Sequence, residues 1–245
     1  MESKNSDIIF GLHPVLEAIK AQKDIEKLLI QKGSANTNEL INKANEAKIP
    51  FQIVPPEKLS KITKKNHQGV IGFVANIRYC DYQDIVAEVF EKGETPLILI
   101  LDKVTDVRNF GAISRTAECA GVHAIIIPDK GSARINSDAV KTSAGALNYI
   151  PICREHNLKT VINDLKNSGL QVVACTEKSD KILYDIDLKV PTAIIMGSEE
   201  EGISPEYLKL STEKVKIPMY GEIGSLNVGV ASAIIIYECI RQRSL

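Results

Sequence analysis

PLILILDKVTDVRNFGAISRTAECAGVHAIIIP, residues 96–128 of the 245-residue chain, carries the pattern that decides the fold. Residues 97–101 (LILIL) and 124–128 (AIIIP) are short, almost unbroken apolar runs. Between them lies enough chain for a crossover helix, over 111–120. A strand with one face in water alternates apolar and polar residues. Runs this apolar suit strands buried on both faces, which means a parallel sheet covered by helices. The signature recurs at 170–175 (LQVVAC) and 193–197 (AIIMG), with a second crossover helix expected over 158–168. The expectation for residues 96–245 is therefore an α/β doubly wound parallel sheet. In such sheets ligands collect beyond the carboxyl ends of the strands.

Outward from this core, residues 1–80 alternate between helical and strand-like stretches. Helices are expected at 13–21, 36–48 and after Pro55 and Pro56, and strands at IEKLLIQ, FQIV and VIGFVA. This reads as a smaller N-terminal α/β domain. Residues 81–95, a charged helical stretch ending at Gly93, read as a connector.

Composition narrows the function. The net charge is −1, so the chain as a whole is no basic nucleic-acid binder. Residues 1–80 nevertheless carry 12 Lys and Arg against 8 Asp and Glu, which makes that part the better candidate for an anionic partner. Lys58, Lys61, Lys64 and Lys65 are its densest basic cluster, or a solvated helix face. Tryptophan is absent and aromatics are 5%, which disfavours an aromatic base-stacking platform. Five dispersed cysteines without a CxxC pair argue against a disulfide framework or a zinc site and for a reducing compartment. The first residues lack the apolar run of a signal peptide, and no apolar stretch reaches a membrane span, so a cytoplasmic protein is expected.

Three segments following apolar strands hold the candidate chemistry. After LILIL, Asp106 or Asn109 can cap a helix, and Arg108 and Arg115, seven residues apart, share a stripe of it. Two guanidiniums there suit a phosphate, or Arg115 simply pairs with Glu118. After AIIM comes GSEEEGIS, in which Gly197 and Gly202 bracket three carboxylates and Glu199 stands close to the strand end. After VKIP comes IPMYGEIGSLNVGVASAIIIYE (217–238). Pro218, Gly221 and Gly224 shape its loop, and Ser225 and Asn227 hold a ligand or cap the helix that follows. That helix has no charge over 228–237, so it should be buried against the core or against another copy of the chain. The sequence has no GxGxxG after a strand, no GxxxxGK[ST] and no GxSxG. The common dinucleotide, P-loop and α/β-hydrolase sites are thereby disfavoured. His67 and His123 are isolated and read as structural.

Taken in order, DKVTDVRNFGAISRTA, IIMGSEEEGIS and IPMYGEIGSLNVGVASAIIIYE resemble the three motifs of the SpoU-type ribose 2′-O-methyltransferases of the SPOUT superfamily. The first departs from the family pattern at Val107, where proline is usual. FGLHPVLEAI and HQGVIGFVA are similar to the L30e-like substrate-binding domain of the branch that modifies a guanosine of large-subunit ribosomal RNA. The resemblance implies a trefoil knot in the C-terminal domain and a homodimer formed through it. It implies S-adenosyl-L-methionine as cofactor and no metal. Backbone groups around Gly197, Ile217 and Leu226 would hold the cofactor, with Met196, Met219, Gly221 and Ser225 nearby. Arg115 would contact the phosphate beside the target ribose, next to the other subunit's cofactor, and stabilise the developing alkoxide. Asn109 would orient Arg115 or the ribose. Glu199 would position the arginine or accept the proton through water. Ser225 and Asn227 would hold the ribose or the amino-acid end of the cofactor. Arg108 joins Arg115 and the lysine cluster as an RNA contact. The alternatives are a transfer-RNA ribose methyltransferase and a catalytically silent RNA-binding protein of the same fold.

Overall fold

The computed structural model describes residues 8–21, 23–34, 37–64, 66–74 and 77–244. They form two compact units. One runs up to Arg78 and takes in Ile135–Ser137; the other comprises Tyr79–Arg134 and the residues from Asp138 on.

The first unit contains β1 (Ile8–Phe10), α1 (Leu12–Lys20), β2 (Ile25–Gln31), α2 (Asn38–Glu46), β3 (Phe51–Val54), α3 (Pro56–Ile62) and β4 (Val70–Val74). Its sheet runs β1-β4-β2-β3, parallel only between β2 and β3. Alternation along β2 divides the core. Leu28 and Ile30 pack with Val15, Leu40 and Ala44 of the first two helices, while Leu29 packs with Leu59 of α3 on the opposite face.

The second unit contains α4 (Tyr82–Glu91), β5 (Leu97–Leu101), α5 (Val107–Cys119), β6 (Ala124–Pro128), α6 (Ser137–Thr142), β7 (Ile152–Glu155), α7 (Leu158–Asn167), β8 (Gln171–Cys175), β9 (Thr192–Met196), α8 (Pro205–Leu210), β10 (Glu213–Val215) and α9 (Val228–Arg243). Its six strands are all parallel, in the order β10-β8-β9-β5-β6-β7. Every residue of β5 and β9 is buried, as unbroken apolar runs require. The segment read as a connector packs on this unit, because Tyr82 and Val86 of α4 enter the core formed by β5, β6, β8 and β9.

Strand order fixes where a ligand goes. The chain begins in the middle at β5, moves outward through β6 and β7, and returns to the other side, where β9 slots between β8 and β5. The direction of winding reverses at the β5–β9 junction, and such switch points open a crevice at the carboxyl ends of the strands.

α9 packs on the core along one face only. Ile235, Ile236 and Cys239 are buried, but Val230 and Tyr237, seven residues apart, are about half exposed at 49% and 50%. Its last turn is fastened to the body. Arg243 donates to the carbonyls of Thr95, Pro96, Leu188 and Val190, at 2.8–3.1 Å. Gln242 bonds the backbone of Leu188 and Ile186.

Candidate active site

At the carboxyl ends of β8 and β9 lies a cavity of about 530 Å³, walled by the turn after β8, residues 196–203, and residues of the 217–231 segment. Met196, Gly197, Glu199, Ile217, Met219, Ser225, Leu226 and Asn227 line it. Of the expected cofactor residues only Gly221 stands outside the lining. Parallel pairing explains the wall: β8 is hydrogen-bonded to β9 on one side and β10 on the other, so the chain leaving all three strands converges.

Two glycines of the cavity wall differ in what they permit. A methyl group on Gly197 would collide with the backbone of Gly202 and Ile203, so only glycine fits. Gly202 adopts φ +70°, the left-handed region where glycine carries no Cβ penalty. Gly221 and Gly224 do neither: a side chain there would meet open space.

The three motifs meet in one hydrogen-bonded chain. Asn227 caps α9, its Oδ1 accepting from the N–H groups of Gly229 at 2.9 Å and Val230 at 3.3 Å. Its Nδ2 donates to Asn109 Oδ1 at 3.0 Å and, in a short bond, to Glu199 Oε1. Glu199 Oε1 also accepts from the Val228 N–H at 3.3 Å. Two donors face the Asn227 oxygen and two acceptors face its nitrogen, which fixes the amide orientation. All four of these bonds are internal, so Asn227 clasps the three motifs together while remaining exposed in the cavity wall. Ser225 is also exposed in the cavity wall and is not the cap.

Asp106 caps α5, accepting from the N–H groups of Arg108 at 2.8 Å and Asn109 at 2.9 Å. That settles the choice between Asp106 and Asn109 and leaves the Asn109 side chain for the clasp. It also gives the helix a proper start despite Val107 in the first helical position, where proline is favoured but not required. Gly111 lets α5 seat closely, because a methyl group there would strike the Thr142 side chain.

Arg108 and Arg115 are both exposed on α5. Among the described residues Arg115 makes no ion pair, with Glu118 or any other carboxylate. Asn109 Oδ1 and Glu199 Oε1 both accept from Asn227, and neither side chain bonds Arg115 among the described residues. Lys58, Lys61 and Lys64 are exposed on and just after α3, while Lys65 lies outside the described residues. No group of His, Cys, Asp and Glu able to hold a metal ion occurs among the described residues.

Three features were overlooked in the sequence. The turn after β8, with Thr176, Glu177 and Lys178, forms part of the cavity. Lys103 pairs with Glu201 at 2.6 Å, which draws the Glu201 carboxyl below its ordinary value through that hydrogen bond. Asp102 is buried and accepts from the Ser204 N–H at 2.7 Å. A single acidic residue directly after an apolar strand was the available signal for the last.

Comparison with known proteins fits this geometry. Residues 96–237 match the SpoU rRNA Methylase family, and residues 8–80 match the domain described as RNA 2′-O ribose methyltransferase substrate binding. The chain belongs to the SpoU methylase family. Among curated relatives, a protein of Staphylococcus aureus (strain MW2) assigned to the TrmH family of tRNA/rRNA methyltransferases is 37% identical over 243 residues, covering 96% of both chains. The Bacillus subtilis (strain 168) relative YacO, assigned to the same family, is 32% identical over 244 residues, covering 99% of this chain and 98% of its own. Among solved structures, the AdoMet-bound rRNA methyltransferase from Sinorhizobium meliloti superposes with a TM-score of 0.60 at 27% identity, over 96% of this chain and 87% of that one. The A. aeolicus TrmH/SpoU tRNA modifying enzyme gives a TM-score of 0.57 at 33% identity, over 66% of this chain and 84% of its own.

Proposed function

We propose that this protein methylates the ribose 2′-hydroxyl of a guanosine in 23S ribosomal RNA, near the peptidyl-transferase region, using S-adenosyl-L-methionine. The observation that carries this reading is the clasp of Asn109, Asn227 and Glu199 beside a cavity on the same unit as two exposed arginines, Arg108 and Arg115. The cavity suits the cofactor: it joins apolar Met196, Ile217 and Leu226 with backbone drawn in at Gly197 and with the Ser225 hydroxyl.

The bound cofactor supplies a methyl group already activated by its sulfonium charge. The tasks left to the protein are alignment and the handling of a weakly acidic hydroxyl. As the ribose oxygen bonds to the methyl carbon and the carbon–sulfur bond breaks, the hydroxyl proton must leave. Arginine stays protonated in protein settings, so Arg115 stabilises the developing alkoxide and grips the adjacent phosphate, and does not act as the base. Glu199 is held through Oε1, while Oε2 makes no hydrogen bond among the described residues and can take the proton through water. Arg115 serves the site of a second copy, which accounts for its exposure and its lack of an ion pair among the described residues. The half-exposed stripe of Val230 and Tyr237 on α9 is the apolar face through which the copies meet. Arg108 and the lysines of α3 are the further contacts to RNA.

Ribosomal RNA is favoured over transfer RNA because residues 8–80 carry a substrate-binding domain, whereas the similarity to the tRNA modifying enzyme spans only 66% of the chain. The test is transfer of labelled methyl to unmodified large-subunit ribosomal RNA, followed by nucleoside analysis. Label in 2′-O-methylguanosine at the peptidyl-transferase region supports the proposal. Label only in transfer RNA overturns the substrate, and no transfer to any RNA overturns the activity. Arg115→Ala should lower turnover by at least about a hundredfold. Its affinity for S-adenosyl-L-methionine, read by equilibrium dialysis, should stay within about twofold of the unsubstituted protein.

A further inference from the structure

We infer that Asp102 is the positioning residue that sets where Glu199 stands, and through it the height of the cavity wall; this rests on the methyltransferase reading above. Asp102 is the first residue beyond β5 and is 2% exposed. Its N–H donates to the Met196 carbonyl at 2.8 Å, extending the β5–β9 ladder by one rung. Its side chain therefore stands at the root of the loop that leaves β9. Oδ2 reaches across and accepts from the Ser204 N–H at 2.7 Å. A charge-assisted bond of this length in a buried setting is among the stronger single hydrogen bonds a protein makes.

The loop so held carries Glu199. It folds on itself, with the Gly202 N–H donating to the Ser198 carbonyl at 3.0 Å and the Glu201 N–H to Ser198 Oγ at 3.1 Å. Its return end is fixed by Ile203, buried in the core, and by Ser204 on Asp102. The next residue, Lys103, adopts φ +57°, unusual for a residue with a side chain. Lys103 also ties the loop from outside through its pair with Glu201. Asp102 thus holds the loop from within and Lys103 from solvent, one at each side of the same strand end. Glu199 can then meet Asn227 and, beyond it, Asn109, which follows Asp102 in the same segment. The clasp closes a ring that starts and finishes on the chain leaving β5. Without Asp102 the ring keeps its polar members but loses its anchor.

The experiment uses the full chain and four variants: Asp102→Ala, Asp102→Asn, Asp102→Leu and Glu199→Ala, with the double variant Asp102→Ala/Glu199→Ala. Asp102→Ala should lower kcat by about tenfold or more, with KM for RNA changed by no more than about twofold, since none of the residues proposed to contact RNA lies in that loop. It should also weaken S-adenosyl-L-methionine about fivefold or more in equilibrium dialysis, because the displaced loop walls the cavity. Asp102→Asn keeps an acceptor oxygen and should recover most of both losses. Asp102→Leu keeps about the same side-chain volume and deletes the same bond. It opens no cavity, so this variant keeps the test alive if Asp102→Ala fails to fold. In kcat the double variant should be no worse than Glu199→Ala alone, because both substitutions break one path. The proposal is overturned if Asp102→Ala and Asp102→Leu both leave kcat and cofactor affinity within about twofold of the unsubstituted protein, or if the kcat losses at 102 and 199 multiply. If the unsubstituted protein transfers no methyl to RNA, the functional reading fails by itself, and cofactor affinity across the same variants still decides the role of Asp102.

Discussion

Asn227 makes four hydrogen bonds with one amide: two cap its own helix, one reaches Asn109 on α5 and one reaches Glu199 in the loop after β9. Two of its roles conflict in any substitute. Aspartate keeps the helix cap but turns a donor toward Glu199 into a second carboxylate. Alanine loses cap and clasp together. Asn227→Asp should therefore keep most of the thermal stability yet lower methyl transfer by about tenfold or more, with the loss partly relieved at acid pH as one carboxylate protonates. Asn227→Ala should also lose about 1–2 kcal/mol of stability, read by urea titration. The participants were legible in the sequence, because Asn109, Glu199 and Asn227 fall in motifs with a recognisable order. Their roles were not. Whether an asparagine caps, orients or binds depends on which donors and acceptors surround it in space, and the two acceptors here lie 118 and 28 residues away along the chain. Asp102 was missed for a related reason: an acid after an apolar strand acquires meaning only once Ser204 is seen to face it.

At the scale of elements, legibility followed burial. β5, β6, β8 and β9 are covered on both faces and announce themselves as apolar runs. β1, β7 and β10 have three or four residues each, lie at sheet edges, and carry no comparable signal. Register across such edges comes from neighbours and not from composition. α6 and α8, of six residues each, are too short to show a helical period. α9 was recognised as a helix but not as one with two kinds of face. Its final turn contains a buried carboxylate, Glu238, bonded twice by Arg241 at 2.8 Å and once by Gln242 at 2.8 Å. The Arg241 hydrogen bond holds the Glu238 carboxyl below its ordinary value of 4.5. A carboxyl whose folded pKa is depressed contributes stability above the unfolded value and loses it as pH falls through the folded one. Glu238→Gln should hence lower the melting temperature at pH 7 by a few degrees, roughly 2–4 °C per kcal/mol lost. The difference from the parent should shrink as pH falls from about 5 to 3.

For the whole molecule, the two units divide the work by charge. The N-terminal part carries the basic excess and the C-terminal part the cavity. If copies meet along the Val230–Tyr237 stripe, a charge there should separate them. Val230→Glu should shift the protein from dimer to monomer in light scattering and reduce methyl transfer by about tenfold or more, since Arg115 would lose the site it serves. Mixing Val230→Glu with Arg115→Ala should restore little activity, because the first cannot pair.

The placement of β9 has a consequence for how the chain reaches this state. β5 pairs with β9 from Leu97↔Thr192 to Leu101↔Met196, yet β6, β7 and β8 are made in between. Until β9 arrives, one side of the central strand offers unpaired backbone on an entirely apolar ribbon. Closing that gap joins residues distant in sequence, which makes it entropically slow. Such an unfilled edge recruits strands from other molecules. Refolding yield should accordingly fall steeply with protein concentration. In pulsed hydrogen exchange, the amides of β9 should gain protection after those of β6.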